Sequence, residues 1–183
     1  MGIWERLDLD PAVHRMVALV GGGGKSSTMY AMAKQAADSG RKAVVTTTTH
    51  ILPHPGLPLA GDLAQLAALL KKHRVVTLGA YDSRGKLTGA ADPASCLALA
   101  DGVLIEADGA KLRPLKAPPD HEPVIPSACH AAIASAGLDC VGRSIGEICH
   151  RPERVCALLG TDLDPSITPA DVDSMAAQYY GFP

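Results

Sequence analysis

The amino-acid sequence predicts a three-layer α/β fold, in which helices cover both faces of a mostly parallel sheet. Short apolar, β-branched runs alternate with longer stretches of helix-forming residues along most of the chain. Apolar residues make up 47% of the 183 positions, which is enough to bury a core of ordinary size. We therefore expect one domain spanning residues 1–183.

Four runs have the composition of strands that are buried on both faces. Each is short, apolar and rich in β-branched residues. A weaker fifth candidate and a turn or hairpin complete the predicted strands. The four runs are Met16–Val20, Ala43–Thr47, Val75–Leu78 and Val103–Ile105, the fifth candidate is Ala131–Ala134, and the hairpin is Tyr81–Thr88.

Helix boundaries are marked by capping residues, glycine and proline. Asp62 and Asp92 are good N-caps, and Gly40 is a typical helix end. Ser144 and Glu147 have the spacing of a capping box. The predicted helices cover residues 25–39, 63–72, 93–100, 151–159 and 168–180.

The overall composition excludes several classes of protein. A net charge of −2 and 3% aromatic residues argue against a general nucleic-acid binder, which usually shows a basic excess and stacking side chains. No segment reaches the roughly 18–20 consecutive apolar residues that span a bilayer. Met1–Pro11 lacks the apolar core of a signal peptide, so we expect a cytoplasmic protein without nucleic-acid or membrane partners.

The five cysteines are an odd number at irregular spacing, and no C-x-x-C pair is present. This pattern is untypical of a disulfide framework or a structural zinc site. We therefore expect small buried or half-buried thiols.

A glycine-rich loop lies between the first predicted strand and the first predicted helix. Glycines let the backbone turn tightly and direct amide N–H groups at one point, and the helix N-terminus that follows favours phosphate. We expect Lys25 to contact the β- and γ-phosphates and Ser26 to bind Mg²⁺. The predicted nucleotide-binding residues are Gly21, Gly22, Gly23, Gly24, Lys25, Ser26 and Ser27.

This loop departs from the usual G-x-x-x-x-G-K-[ST] pattern, because Leu19 occupies the first glycine position. Its alternative interpretation is a flexible turn with a solvated Lys25. The context of strand, loop and helix favours a variant phosphate loop, and the predicted fold is then that of P-loop NTPases.

Two carboxylates follow the apolar strand Val103–Ile105, at Glu106 and Asp108. Phosphoryl chemistry needs a carboxylate near the metal and one that orients the nucleophile, and the carboxyl end of a buried strand can supply both. Thr48 and Thr49 lie beyond the strand Ala43–Thr47, at the same predicted edge of the sheet. They are candidates for Mg²⁺ or γ-phosphate binding, or simply good strand residues.

The segment Gly109–Pro126 holds five prolines and no periodic apolar pattern, so we expect a long ordered loop or a lid. Prolines lower the entropy cost of ordering such a loop on a ligand. Its cations suit an anionic second substrate or a partner protein, and the alternative is a rigid surface connection with solvated cations. These candidates are Lys111, Arg113, Lys116 and His121.

Several segments together resemble the YqeC-type accessory proteins of selenium-dependent molybdenum hydroxylases. The resemblance extends over nearly the whole chain, and the His-Glu-Pro segment is its most specific element, since phosphate loops are widespread. The segments are Gly21–Ser27, Thr46–Ile51, Glu106–Lys111, Lys116–Pro118, His121–Pro126, Arg151–Leu159 and Ile167–Ala177.

The resemblance implies a nucleotide-binding protein that assists maturation of a molybdenum hydroxylase, through handling of selenium or a modified molybdenum cofactor. Members of the family usually continue with a further strand and a base-reading segment similar to Asn-Lys-x-Asp. This sequence holds no such segment. We therefore expect a short or truncated member, in which the preference for ATP or GTP stays open.

We interpret the chain as a slow P-loop NTPase or nucleotide-dependent transferase that uses Mg²⁺ and ATP or GTP. Lys25, Glu106 and Asp108 are the predicted catalytic residues. Ser26, Glu106 and Asp108 are the predicted magnesium ligands. Two alternatives stay open: a small-molecule kinase or ligase with its acceptor under the proline-rich loop, and a non-catalytic, nucleotide-gated cofactor carrier.

Overall fold

The computed structural model describes residues 1–89 and 92–180 and confirms an α/β fold with a mostly parallel central sheet. The α-helices are α1 (Ile3–Arg6), α2 (Lys25–Asp38), α3 (Leu63–Leu69), α4 (Ile145–Ile148), α5 (Pro152–Leu159) and α6 (Pro169–Tyr180). The strands are β1 (Met16–Gly21), β2 (Ala43–Thr47), β3 (His50–Ile51), β4 (Leu59–Ala60), β5 (Val75–Leu78), β6 (Ala80–Tyr81), β7 (Leu87–Thr88), β8 (Gly102–Glu106), β9 (Leu115–Lys116), β10 (Ala131–Ser135) and β11 (Cys149–His150). Short 3-10 helices occur at Pro93–Ala98 and Leu138–Cys140.

The described chain divides into two compact units. The expectation of a single domain stays a prediction. Among the described residues, no helix is both long enough and apolar enough to cross a membrane. The first unit comprises Met1–Leu19, Ser26–Ala107 and Val124–Ile133, and the second unit comprises Val20–Lys25, Asp108–Pro123 and Ala134–Pro183.

The central sheet has the strand order β10-β1-β8-β2-β5-β4. Strand β8 lies between β1 and β2 and is parallel to both, with Glu106 in register with Leu19 on one side and Thr47 on the other. These strands are almost entirely buried, which explains their continuous apolar runs. Because parallel strands end at the same edge, Glu106 and Thr47 reach one end of the sheet together.

Helix α2 buries an apolar face against the core of the first unit. Met29, Met32 and Ala33 are almost fully buried there, at the spacing of one helical face. The indole N–H of Trp4 donates to the backbone oxygen of Met32 at 3.0 Å, which satisfies its polar group inside the core. This packing fixes the helix that begins directly after the glycine loop.

The second unit has its own core, formed by the last helices and by two short parallel strands. Strand β9 pairs with β11, with Lys116 opposite His150. Apolar side chains and three cysteines fill the centre of this core. Its buried members are Leu115, Ala117, Cys140, Ile145, Ile148, Cys149, Val155, Cys156, Ile167 and Met175.

The cysteines are free thiols, as the sequence predicted. Cys129 is half-buried and the other four are buried. Burial raises the pKa of Cys149 to about 12 and that of Cys129 to about 11. Because the thiolate is the reactive form of cysteine, these two thiols are suited to packing rather than to nucleophilic chemistry.

The observed elements differ from the predicted ones in several places, of which three bear on the site or on a predicted cap. Strand β4 follows the proline-rich turn and pairs with β5, and strand β9 lies within the segment that we expected to be a loop. Both strands have only two residues, which is too short for a periodic pattern. The Ser144 side chain makes no capping hydrogen bond, so the predicted capping box is wrong, whereas Asp62 caps α3 through Gln65 N.

Candidate functional site

The glycine loop belongs to the second unit, and other segments of that unit hold its backbone. The amides of three successive glycines donate to protein acceptors, so these N–H groups already have partners. The bonds run from Gly21 N to Asp108 Oδ2 at 2.8 Å, from Gly22 N to Ser135 O at 2.8 Å, and from Gly23 N to Arg113 O at 3.0 Å. The first amides of any helix have no carbonyl partner within the helix, so the N-terminus of α2 is the candidate position for an anion.

Gly21 and Gly22 show why this loop needs glycine. Gly21 has a φ of +99°, in the left-handed region that other residues rarely adopt. A Cβ at Gly22 would overlap the carbonyl group of Pro114 and lie 2.7 Å from Leu115 N. The loop therefore packs against the backbone of β9 at a distance that excludes any side chain.

The ammonium group of Lys25 lies over the loop. The side chain is only 5% exposed, and its Nζ donates to Gly21 O at 2.6 Å. Nζ also lies 3.1 Å from Asp108 Oδ1, although that oxygen accepts no hydrogen bond of ordinary geometry. Lys25 is therefore held both by a hydrogen bond to the loop carbonyl and by attraction to the Asp108 carboxylate.

Asp108 is fully buried between two lysines. In addition to Lys25, the Nζ of Lys116 lies 3.0 Å from Asp108 Oδ2. Lys116 also donates to Glu122 Oε2 at 2.9 Å and to Gly109 O at 2.7 Å. A carboxylate with these partners is compensated by protein cations, as a buried charge must be.

Glu122 continues this set of ion pairs toward the surface. Arg151 Nη1 lies 3.5 Å from Glu122 Oε2, and the arginine is partly exposed. Burial acts to raise the pKa of Glu122, but the hydrogen bond from Lys116 and the charges of Lys116 and Arg151 outweigh it. The pKa of Glu122 is therefore below its ordinary value, and the group is ionised at neutral pH.

In the first unit, Ser26 and Glu106 form a direct pair. The Ser26 hydroxyl donates to Glu106 Oε2 at 2.6 Å. Thr47 Oγ1 donates to the Glu106 backbone oxygen at 2.7 Å, which fixes the end of β8. The sequence did not single out Thr47, because its supporting role depends on the pairing of β2 with β8.

Thr48 and Thr49 follow the last residue of β2, in a bend. The Thr48 hydroxyl donates to Val124 O at 2.8 Å, and Thr49 N donates to Thr47 Oγ1 at 2.9 Å. Thr49 Oγ1 also lies 3.3 Å from Thr47 Oγ1. Both hydroxyls therefore stabilise the strand end, and a role in ligand binding stays a prediction.

Tyr30 is a residue that sequence reasoning missed. Its hydroxyl is buried and has no hydrogen-bond partner in the described part of the chain. Burial and the nearby charge of Glu106 raise its pKa to about 12. The ring packs against His54 with centroids 4.5 Å apart. One helical turn separates Tyr30 from Ser26, so both project from the same side of α2.

The four candidates for a second substrate or partner differ in exposure. Lys111 and His121 are exposed. Arg113 is exposed as well, and its guanidinium donates to Glu147 O at 2.5 Å. Lys116, by contrast, is buried and has its ammonium in the ion pairs with Asp108 and Glu122.

Ser26 and Glu106 fit the requirements of Mg²⁺ in a nucleotide complex. Within residues 1–89 and 92–180, no group of three or more His, Cys, Asp or Glu side chains is arranged to hold a metal ion. Mg²⁺ usually takes one or two protein oxygens and completes its shell with water and phosphate. A hydroxyl and a carboxylate oxygen 2.6 Å apart supply such oxygens.

His150 makes the stability of the protein depend on pH. Burial lowers the pKa of this half-buried histidine, and the positive charges of Arg151, Lys111 and Lys116 lower it further. Below about pH 6.5 the unfolded chain takes up a proton that folded His150 does not. We therefore expect the free energy of unfolding to fall between pH 7 and pH 5, and His150→Gln to reduce that fall.

Urea unfolding at the two pH values measures this difference, with a glutamine substitution of the exposed His73 as the control. Equal pH dependence in the wild type and His150→Gln would assign the effect to other groups.

Comparison with known proteins identifies one family that this chain matches. A family model described as YqeC protein matches residues 17–153. A protein of Escherichia coli (strain K12), described as uncharacterized protein YqeC, is 31% identical over 176 residues, which cover 91% of this chain and 69% of that protein. No solved structure gives a significant match.

Proposed function

This chain belongs to the YqeC family, and we propose that it binds a nucleoside triphosphate as a P-loop protein in the maturation of selenium-dependent molybdenum hydroxylases or their cofactor. The nucleotide part of the proposal is supported by a strand, a glycine loop and a helix that present Lys25 and Ser26 in succession. The observation that carries it is the 2.6 Å hydrogen bond from the Ser26 hydroxyl to Glu106, which places a carboxylate beside the expected metal-binding hydroxyl. The maturation part comes from the family resemblance.

The residues have separable roles in this proposal. The amides of the first turn of α2 bind phosphate oxygens, and Lys25 contacts the β- and γ-phosphates. Ser26 and Glu106 hold Mg²⁺, which neutralises charge on the phosphates when it is bound. Asp108 is already engaged with Gly21 N, Lys25 and Lys116, so we assign it to positioning the loop and leave the metal to Glu106.

Glu106→Gln tests the metal assignment. Glutamine still accepts the Ser26 hydrogen bond, so the fold should remain, but it lacks the charge that attracts Mg²⁺. We expect the Mg²⁺ concentration needed for nucleotide binding to rise about tenfold. Titration with ATP or GTP at several Mg²⁺ concentrations measures this, and Glu153→Gln, at an exposed position, is the matched control. An unchanged Mg²⁺ requirement would remove Glu106 from the metal site.

Intrinsic turnover should be slow. The nearby arginines of the second unit are engaged, Arg113 with Glu147 O and Arg151 with Glu122. An arginine that stabilises the transferring phosphoryl group contributes on the order of 10³–10⁵ in rate. We expect hydrolysis by the isolated protein below about 1 per second, and faster steady-state release of phosphate would contradict this.

The same assay separates the alternatives. Turnover that depends on an added small-molecule acceptor would favour a kinase or ligase. Stoichiometric binding without turnover, in the presence of a molybdenum hydroxylase, would favour a nucleotide-gated carrier. Mass spectrometry of ligands retained by the native protein would identify the base and any bound cofactor.

A further inference from the structure

A chain of five charged side chains with alternating sign runs through the second unit. It begins at the loop lysine and ends at a partly exposed arginine. We refer to it as the Asp108 network, and its order is Lys25, Asp108, Lys116, Glu122 and Arg151. The separating distances are 3.1, 3.0, 2.9 and 3.5 Å.

Burial makes the middle of this network interdependent. The side chains of Asp108 and Lys116 are both 0% exposed, so water cannot compensate either charge. Removing one member of a buried ion pair leaves the charge of the other member without its partner. The remaining neighbours must then compensate that charge. Asp108 has two cations close to it, one on each carboxylate oxygen.

The two cations differ in position. Lys116 donates to Glu122 Oε2 and Gly109 O while its Nζ lies 3.0 Å from Asp108 Oδ2, so three protein oxygens surround it. Lys25 donates to Gly21 O at 2.6 Å, lies 3.1 Å from Asp108 Oδ1, and is the first residue of α2, directly after the glycine loop. The proposed function therefore assigns the turn toward a phosphate to Lys25, and Lys116 is the cation that stays with Asp108.

We propose that Lys116 is a positioning residue for nucleotide binding. Its positive charge compensates the negative charge of Asp108 when Lys25 turns to the phosphates. Glu122 pairs with the same ammonium and so weakens the attraction of Lys116 for Asp108. This inference rests on the proposed function of the loop. It also gives Lys116 a different role from that of an exposed cation awaiting a second substrate.

Two substitutions should shift nucleotide affinity in opposite directions. In Lys116→Met, Asp108 holds Lys25 more strongly, so the Kd for Mg-ATP or Mg-GTP should rise about tenfold. In Glu122→Gln, Lys116 keeps its hydrogen bond and compensates Asp108 more fully, so the Kd should fall about two- to threefold. Lys71→Met, at an exposed position of the first unit, is the matched control.

The decisive measurement repeats Lys116→Met in an Asp108→Asn background. Asparagine can still accept the Gly21 N–H but carries no charge to hold Lys25. If Lys116 acts through Asp108, its replacement should change the Kd less than about twofold there. If Lys116→Met alone does not fold, two measurements still test the proposal. They are the Kd of Glu122→Gln, and the Kd of the Lys116→Met, Asp108→Asn double variant compared with that of Asp108→Asn.

The possible outcomes separate this proposal from the proposed function on which it rests. Opposite shifts, with loss of the Lys116 effect in the Asp108→Asn background, support the proposal. Equal effects in both backgrounds, or weaker binding by Glu122→Gln, overturn it while the proposed function stands. A wild-type protein that binds neither Mg-ATP nor Mg-GTP overturns both.

Discussion

Lys25→Ala is expected to weaken the binding of Mg-ATP and Mg-GTP by about 100-fold, because charge-assisted contacts to phosphate are the strongest the loop can offer. The fold should persist, since Asp108 keeps Lys116 at 3.0 Å and the Gly21 amide at 2.8 Å as partners. Isothermal titration of the wild type and the variant measures the affinity, and thermal unfolding without nucleotide checks the fold.

Lys34→Ala is the matched control for this substitution. Lys34 lies on the same helix, is exposed, and pairs with Asp38 at 2.7 Å. Surface pairs of this kind contribute little, so the control should bind nucleotide like the wild type. Equal affinity in Lys25→Ala and Lys34→Ala would remove the phosphate-loop assignment.

Gly22→Ala is expected to lower stability and nucleotide binding together. The new Cβ would overlap the Pro114 carbonyl group and lie 2.7 Å from Leu115 N, and these backbone atoms belong to a buried segment. Forcing a methyl group into such a contact costs about 3 kcal/mol. For a chain of this length the unfolding temperature should fall by roughly 6–12 °C.

Gly102→Ala is the control for the loss of a glycine. Its nearest contact for a Cβ is Arg15 O at 3.5 Å, an ordinary van der Waals distance. Calorimetric unfolding of both variants, with nucleotide titration of each, separates steric strain from backbone entropy. Similar unfolding temperatures for the two variants would mean that the loop can move away from β9 without cost.

Several elements could be predicted because their causes are local. The apolar run at Met16–Val20, the glycines after it and the helix that ends before Gly40 all follow from residue type and order. Asp62 caps its helix as expected, since a cap needs only a neighbour three residues away. The Ser144 capping box failed because spacing alone does not fix the orientation of a side chain.

Within the candidate site, the sequence placed the loop, Ser26 and Glu106 but could not pair them. The Ser26–Glu106 bond joins residues that lie 80 positions apart, and it exists because α2 follows β1 while β8 pairs with β1. Tyr30 and Thr47 were missed for the same reason. Their surroundings are set by strand neighbours, which no local pattern encodes.

The sequence by itself determined the α/β class, the glycine loop and the identity of its lysine and serine, because periodicity, backbone freedom and charge are properties of short segments. Only the tertiary structure decided that Lys116 is buried beside Asp108 and Glu122, and that the amides of Gly21 and its neighbours are already bonded. A lysine in a proline-rich segment is equally compatible with a solvated and a buried position. The choice depends on carboxylates that the fold brings within 3.0 Å, where burial makes an ion pair obligatory.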